Sequence, residues 1–123
     1  MRPIDLTDSY RHLERGPGVG VIDVDENFWA TIDDRTDLDD GRLVMAMPMT
    51  ADWSNWEMHP EGDEVIVVTD GVVRVHTESN EPVIVRAPEL VVMPAGTWHT
   101  MDVIEPARVL TITWGAGTQH RAR

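Results

Sequence analysis

From Arg42 to Trp114 the chain is written in short apolar and β-branched runs, each closed within a few residues by glycine, proline or a polar turn. Runs this short, alternating instead of recurring every three to four residues, point away from a helical bundle and toward an antiparallel sandwich or barrel. Arg42–Met49 alternates so that Leu43, Met45, Met47 and Met49 share a face. Trp53–His59 is the next expected strand, ended by Pro60 and Glu61-Gly62. Glu64–Thr69 and Val72–Thr77 read as the arms of a hairpin about Asp70-Gly71. Val83–Arg86, Leu90–Met93, Trp98–Ile104 and Val109–Trp114 complete the series.

Ahead of these strands the texture differs. Asp5–Arg15 predicts a short helix, with Leu6, Tyr10 and Leu13 on one face and Gly16-Pro17-Gly18 as its stop. Its His12 is expected to be exposed. Val19–Val24 and Phe28–Ile32 read as strands, and the acid-rich Asp33–Asp40 as a solvated loop ending at Gly41. The 123 residues suffice for one core and not for two. The expected organisation is therefore one domain over 1–123: a lead-in over 1–41, a barrel core over 42–114 and a polar tail over 115–123 with a mobile end. His120 in that tail is expected to be solvated.

Charge and composition exclude several functions. A net charge of -12 repels phosphate backbones, so no nucleic-acid partner is expected. No apolar run reaches membrane-spanning length, and Met1–Asp5 lacks the apolar core of a signal peptide. With no membrane association indicated, a cytoplasmic location is the expectation. The absence of cysteine removes disulfides and thiolate ligands. The acidic runs do not follow the calcium-loop pattern, and no glycine cluster forms a phosphate or dinucleotide loop.

What remains is a set of imidazoles and carboxylates. Glu57 and His59 stand two apart on an expected strand and leave it on the same face. Glu64 opens the next strand, and His99 follows the turn Pro94-Ala95-Gly96. If the hairpins close into a barrel, these four converge, and two imidazoles with two carboxylates suit a divalent first-row transition metal. Two carboxylates held close cannot both ionise cheaply, and such a cation removes the penalty. Glu57 is open between ligand, general base and surface charge. Met45, Met47, Trp98 and Met101 are expected to line an adjoining small-molecule pocket, while His76, alternating with Val73 and Val75, is expected to face outward.

These segments resemble the paired motifs of the cupin superfamily. His59, Glu64 and Gly71 match the first motif with its histidine-to-glutamate-to-glycine spacing, and Pro94, Gly96 and His99 match the second. The resemblance spans about residues 42 to 114 and implies an all-β fold, a double-stranded β-helix (jelly-roll) barrel, here with a short N-terminal helical lead-in. Glu57 stands where the family usually has its first histidine. Ala51 and Pro88 replace two opening glycines, and Val103 replaces the closing asparagine.

The family usually uses three histidines and one glutamate. The set implied here is His59, His99, Glu64 and Glu57 about Fe, Mn, Ni or Zn, with Glu57 a candidate catalytic base. The resemblance further implies a metal-dependent enzyme of the dioxygenase, isomerase, lyase or cyclase type. It would act on a small molecule, here a neutral or aromatic one against the methionine row. The alternative is a non-catalytic binding or sensing module, metal-free or not. A homodimer is expected, because the resemblance implies a barrel of a kind that commonly pairs, and because Trp56 and Met58 alternate away from the site and need cover from the lead-in or a partner.

Overall fold

The computed structural model describes residues 1–123. Its strands are β1 (Ser9–Glu14), β2 (Val19–Asp23), β3 (Gly41–Met49), β4 (Asn55–Met58), β5 (Glu64–Thr77), β6 (Val83–Arg86), β7 (Leu90–Met93), β8 (His99–Thr113) and β9 (Gln119–Ala122). One short helix, α1 (Phe28–Thr31), and 3-10 turns at Ile32–Asp34 and Thr36–Leu38 lie between β2 and β3. All pairings are antiparallel, in the order β2-β1-β3-β8-β4-β9, with β5 against β8 and carrying β6 and β7 on its other side. The chain is thus a curled, all-β barrel.

Two long strands organise it. β5 has 14 residues and β8 has 15, so Asp70-Gly71 is not a hairpin turn, and Trp98–Ile104 and Val109–Trp114 are not separate elements. The pairing of β5 with β8 shifts register between Val68 and Val73, around Gly71, which has φ 75°. A β-bulge there lets both strands bend through the barrel wall without ending. The dipeptide that favours a tight turn also supplies the positive φ of a bulge, and only long-range pairing decides between them.

The N-terminal third differs most from expectation. Asp5–Arg15 is not a helix: Ser9–Glu14 pairs with β2 on one side and β3 on the other. Tyr10 and His12, two apart, are buried, so His12 is not exposed. Ser, Tyr and His are middling helix formers, too weak to resist two ladders of sheet hydrogen bonds. Gly16-Pro17-Gly18 is then the connection between β1 and β2. Phe28–Thr31, expected as a strand, is helical instead. The Asp25 carboxylate accepts from Asn27 N–H, and the Asp25 and Asn27 carbonyls accept the next amides. This winding places the Phe28 ring edge-on to Tyr10 at 5.3 Å and to Trp29 at 5.1 Å.

Two apolar clusters result. The barrel core joins Met49, Ile66, Val68, Val73, Met101 and Val109 with their neighbours. A second cluster packs Tyr10, Ile22, Phe28 and Leu38 on Leu43 and Met45 of β3. The lead-in is therefore a cover over one end of the barrel. The tail is ordered too: β9 pairs with β4, and Arg121 stacks over Trp98 at 4.2 Å and Trp56 at 5.8 Å. The chain's own C-terminus covers the face that Trp56 presents. No helix is long and apolar enough to cross a membrane.

Candidate metal centre

Register brings the four expected ligands together. Glu57 of β4 lies opposite His99 of β8, and Glu64 of β5 lies opposite Thr113 at the other end of β8. His59 follows β4 by one residue and shares the inward face of Glu57. The ligand atoms of Glu57, His59, Glu64 and His99 all lie within 4.8 Å of one another. His99 Nε2 is 3.0 Å from Glu64 Oε2 and 3.3 Å from Glu57 Oε1. His59 Nε2 is 3.5 Å and 3.7 Å from the same two atoms.

These atoms are close but do not satisfy one another. His59 Nε2, His99 Nε2 and Glu64 Oε2 are all buried without an aligned hydrogen-bond partner. Three such orphans in one place would be costly in a barrel with nothing else to bind.

The far side of each ligand is tied down. His99 Nδ1 lies 3.1 Å from the Thr97 carbonyl, which can only accept. Thr118 donates its hydroxyl to the Gly115 carbonyl at 2.7 Å, so it can only accept from His59 Nδ1, also at 2.7 Å. Both imidazoles therefore carry hydrogen on Nδ1. In the neutral ring the Nε2 lone pair then points into the cluster. Thr113 donates to Glu64 Oε1 at 2.5 Å, leaving Oε2 for the centre. The donor set, its burial and its outer partners fit a divalent transition metal, with His59, His99 and Glu64 as three ligands and Glu57 beside them.

Without a cation the same groups form a charge network. Burial opposes the charged state of each imidazole, but Glu57 and Glu64 outweigh it and hold His59 up at about 9 and His99 at about 10. Burial pushes the Glu57 carboxyl up, yet His120, His59 and His99 hold it well below the usual carboxylate range. Burial pushes Glu64 up as well, but His59 and His99 hold it below its usual value.

A cavity of about 470 Å³ opens over the cluster. Met45, Met47, Leu43 and Trp53 give it an apolar wall, and Glu57, His59 and Glu64 lie in its floor. Two of the four expected pocket residues, Met45 and Met47, are in place. Met101 is fully buried in the barrel core and Trp98 stacks on Arg121, so neither lines the cavity. His99 and Met101 share a strand face, but that face runs on from the site into the core.

Sequence reasoning missed two cavity elements. His120 is exposed, as expected of the tail, but it also reaches the cavity: its Nε2 is 3.5 Å from Glu57 Oε2 and its Nδ1 is 3.9 Å from Asp33. Its position follows from β9 pairing with β4, where Glu57 lies opposite His120. β9 has no apolar alternation to announce it; the same-face spacing of Thr118 and His120 was the only signal. The acidic stretch is the other, because Asp33, Arg35 and Asp39 line the mouth. Outside the site, His76 is half-buried against Asp102, with Nε2 to Oδ2 at 2.6 Å.

An antiparallel barrel with a largely buried two-histidine, two-carboxylate cluster under a cavity defines the class: a small β-barrel with a metal-type centre. A family model for the cupin domain matches residues 43–113, more than half of the chain. The chain belongs to the cupin family. No curated protein is significantly similar in sequence.

Solved structures share the fold at low identity. A cupin-2 domain protein from Shewanella frigidimarina aligns with TM-score 0.53 and 21% identity, over 58% of this chain and 69% of its own. A double-stranded β-helix protein from Klebsiella pneumoniae aligns with TM-score 0.56 and 14% identity, over 66% and 69% of the two chains. A structure of DMSP lyases aligns with TM-score 0.51 and 20% identity, over 68% of this chain and 43% of that one.

Proposed function

We propose that this cupin is a metal-dependent enzyme that acts on a small organic molecule held in the cavity, by transferring a proton at Glu57. The observation that carries the reading is the convergence of His59 Nε2, His99 Nε2 and Glu64 Oε2, buried and without an aligned hydrogen bond, beneath a cavity of about 470 Å³. The chemistry a divalent metal supplies when bound there is polarisation of a substrate oxygen. Thr118, Thr97 and Thr113 keep the ligand atoms aimed inward. Met45, Met47 and Trp53 exclude water from one wall.

Glu57 differs from the other three. It is the most exposed of the four side chains at 19%, and its second oxygen faces His120. In this reading Glu57 Oε1 takes a proton from a bound molecule, and His120 stabilises the carboxylate or passes the proton on. Proton abstraction beside a polarised carbonyl is the step common to isomerases and lyases, and those are the classes favoured.

Elemental analysis of protein purified without chelator or affinity tag tests the metal. One transition metal per chain is expected in the wild type and in Glu57→Gln, and none in His59→Ala/His99→Ala. Equal content in the wild type and the double variant sinks the metal reading. Solvent-deuterium uptake by a panel of small carbonyl compounds tests the chemistry, with uptake expected in the wild type and lost in Glu57→Gln. A loaded protein that binds panel members and exchanges none of them is instead a binding module.

A further inference from the structure

The cavity wall above the metal-type cluster carries a charge that the cluster does not use. Asp33, Asp39 and Asp52 line it, and its single arginine is Arg35. That guanidinium is already engaged, with Nε and a terminal nitrogen each 2.8 Å from the two Asp37 oxygens. A two-toothed clasp of this kind uses the fork that would otherwise recognise a carboxylate or phosphate. Asp52 gives one oxygen to Val103 N–H at 2.8 Å, and Asp33 lies 3.9 Å from His120. The indole of Trp29, half-exposed, and that of Trp53 stand in the same lining. Carboxylates beside aromatic faces favour an organic cation and disfavour an anion.

A second, independent feature calls for a ligand. Thr111 lines the cavity, is 1% exposed, and its hydroxyl has no hydrogen-bond partner. It lies between Met45 of β3 and Ile66 of β5 in the sheet, on the same face as Thr113. Thr113 spends its hydroxyl on Glu64. An apolar residue would fill that position at no cost, whereas a buried unpaired hydroxyl is costly until something in the cavity pairs with it.

We infer that the ligand is a small organic cation, an amine or onium group held at the Asp33–Asp39–Trp29 mouth, with a polar group that reaches Thr111. This reading replaces the expected neutral or aromatic ligand with a positively charged one. It rests on the proposed function only in taking the cavity as the substrate site, and the acidic lining does not depend on the metal.

Choline, its neutral carbon isostere 3,3-dimethylbutanol and the anion 3,3-dimethylbutyrate separate charge from shape. Titration calorimetry on the full chain, both metal-loaded and metal-free, should show choline binding at least tenfold tighter than either isostere. Asp33→Asn/Asp39→Asn, at exposed positions, should erase most of that preference. Thr111→Val should weaken choline about tenfold while leaving tetramethylammonium, which has no hydroxyl, unchanged. Equal or tighter binding of the neutral or anionic isostere overturns the inference, as does an unchanged preference in the double asparagine variant. Metal content measured on the same samples reports separately on the metal reading. A cation preference without metal supports the ligand class and refutes only the metal.

Discussion

Thr118 shows how far the centre depends on residues that never touch its middle. Its hydroxyl hydrogen is committed to Gly115, and its lone pair receives His59 Nδ1–H. That arrangement fixes the tautomer and the ring plane of one ligand. Outer partners of this kind typically carry about a 10–100-fold effect on metal affinity. Thr118→Val should therefore weaken Zn(II) or Mn(II) binding by about that factor, and Thr118→Ser should restore it; competition against a chromophoric chelator measures both. An effect of the same size in the serine variant would mean that the methyl contact, not the hydrogen bond, matters. His59→Ala and His99→Ala should each abolish binding while far-UV circular dichroism stays unchanged.

At the scale of elements, the long strands β5 and β8 set where everything else can be. Gly71 is their weak point. Its φ of 75° suits glycine, and a Cβ there would overlap the Pro106 carbonyl on β8. Gly71→Ala should cost at least about 2 kcal/mol, read as a lowered urea midpoint with an unchanged slope. A stability within error of the wild type would mean that the bulge relaxes freely.

The same elements separate what was legible in the sequence from what was not. Alternation in Arg42–Met49 and the spacing of Glu57, His59, Glu64 and His99 are local patterns, and barrel, methionine wall and histidine–carboxylate cluster could all be read from them. Whether Asp70-Gly71 turns or bulges is decided by Pro106, some thirty-five residues away. Whether Ser9–Glu14 coils or pairs depends on β2 and β3 lying on either side of it. His120 enters the site through a four-residue strand, three of its residues polar, whose only strand signal is its partner, β4. Local pattern carried the site's inner ligands, and tertiary pairing carried its rim.

For the whole molecule, the homodimer stands as a proposal with β2 as its natural edge, since β2 pairs only with β1 and exposes Val19 at 58% and Val21 at 63%. Sedimentation velocity should give a dimer and Val21→Lys a monomer; a monomeric wild type retires the idea. Stability should also depend on pH with opposite signs in the two metal states. In metal-free protein, His59 at about 9 and His99 at about 10 lie above the unfolded value of 6.5. The folded chain then holds more protons than the unfolded one, so this stabilisation is full below pH 6.5 and is lost as pH rises toward 10. Glu57 and Glu64, both lowered, contribute stability above their unfolded 4.5 that is lost as pH falls below it. Metal-free protein should thus be most stable between about pH 4.5 and 6.5. With metal on both Nε2 atoms the folded chain carries about two protons fewer than the unfolded chain below pH 6.5. Loaded protein should gain stability up to about that pH and hold it above. Denaturant midpoints at pH 6 and pH 9, with chelator and with excess Zn(II), should therefore diverge: a fall from pH 6 to pH 9 in the first series and none in the second. Parallel behaviour in the two series would place the metal somewhere other than on these histidines.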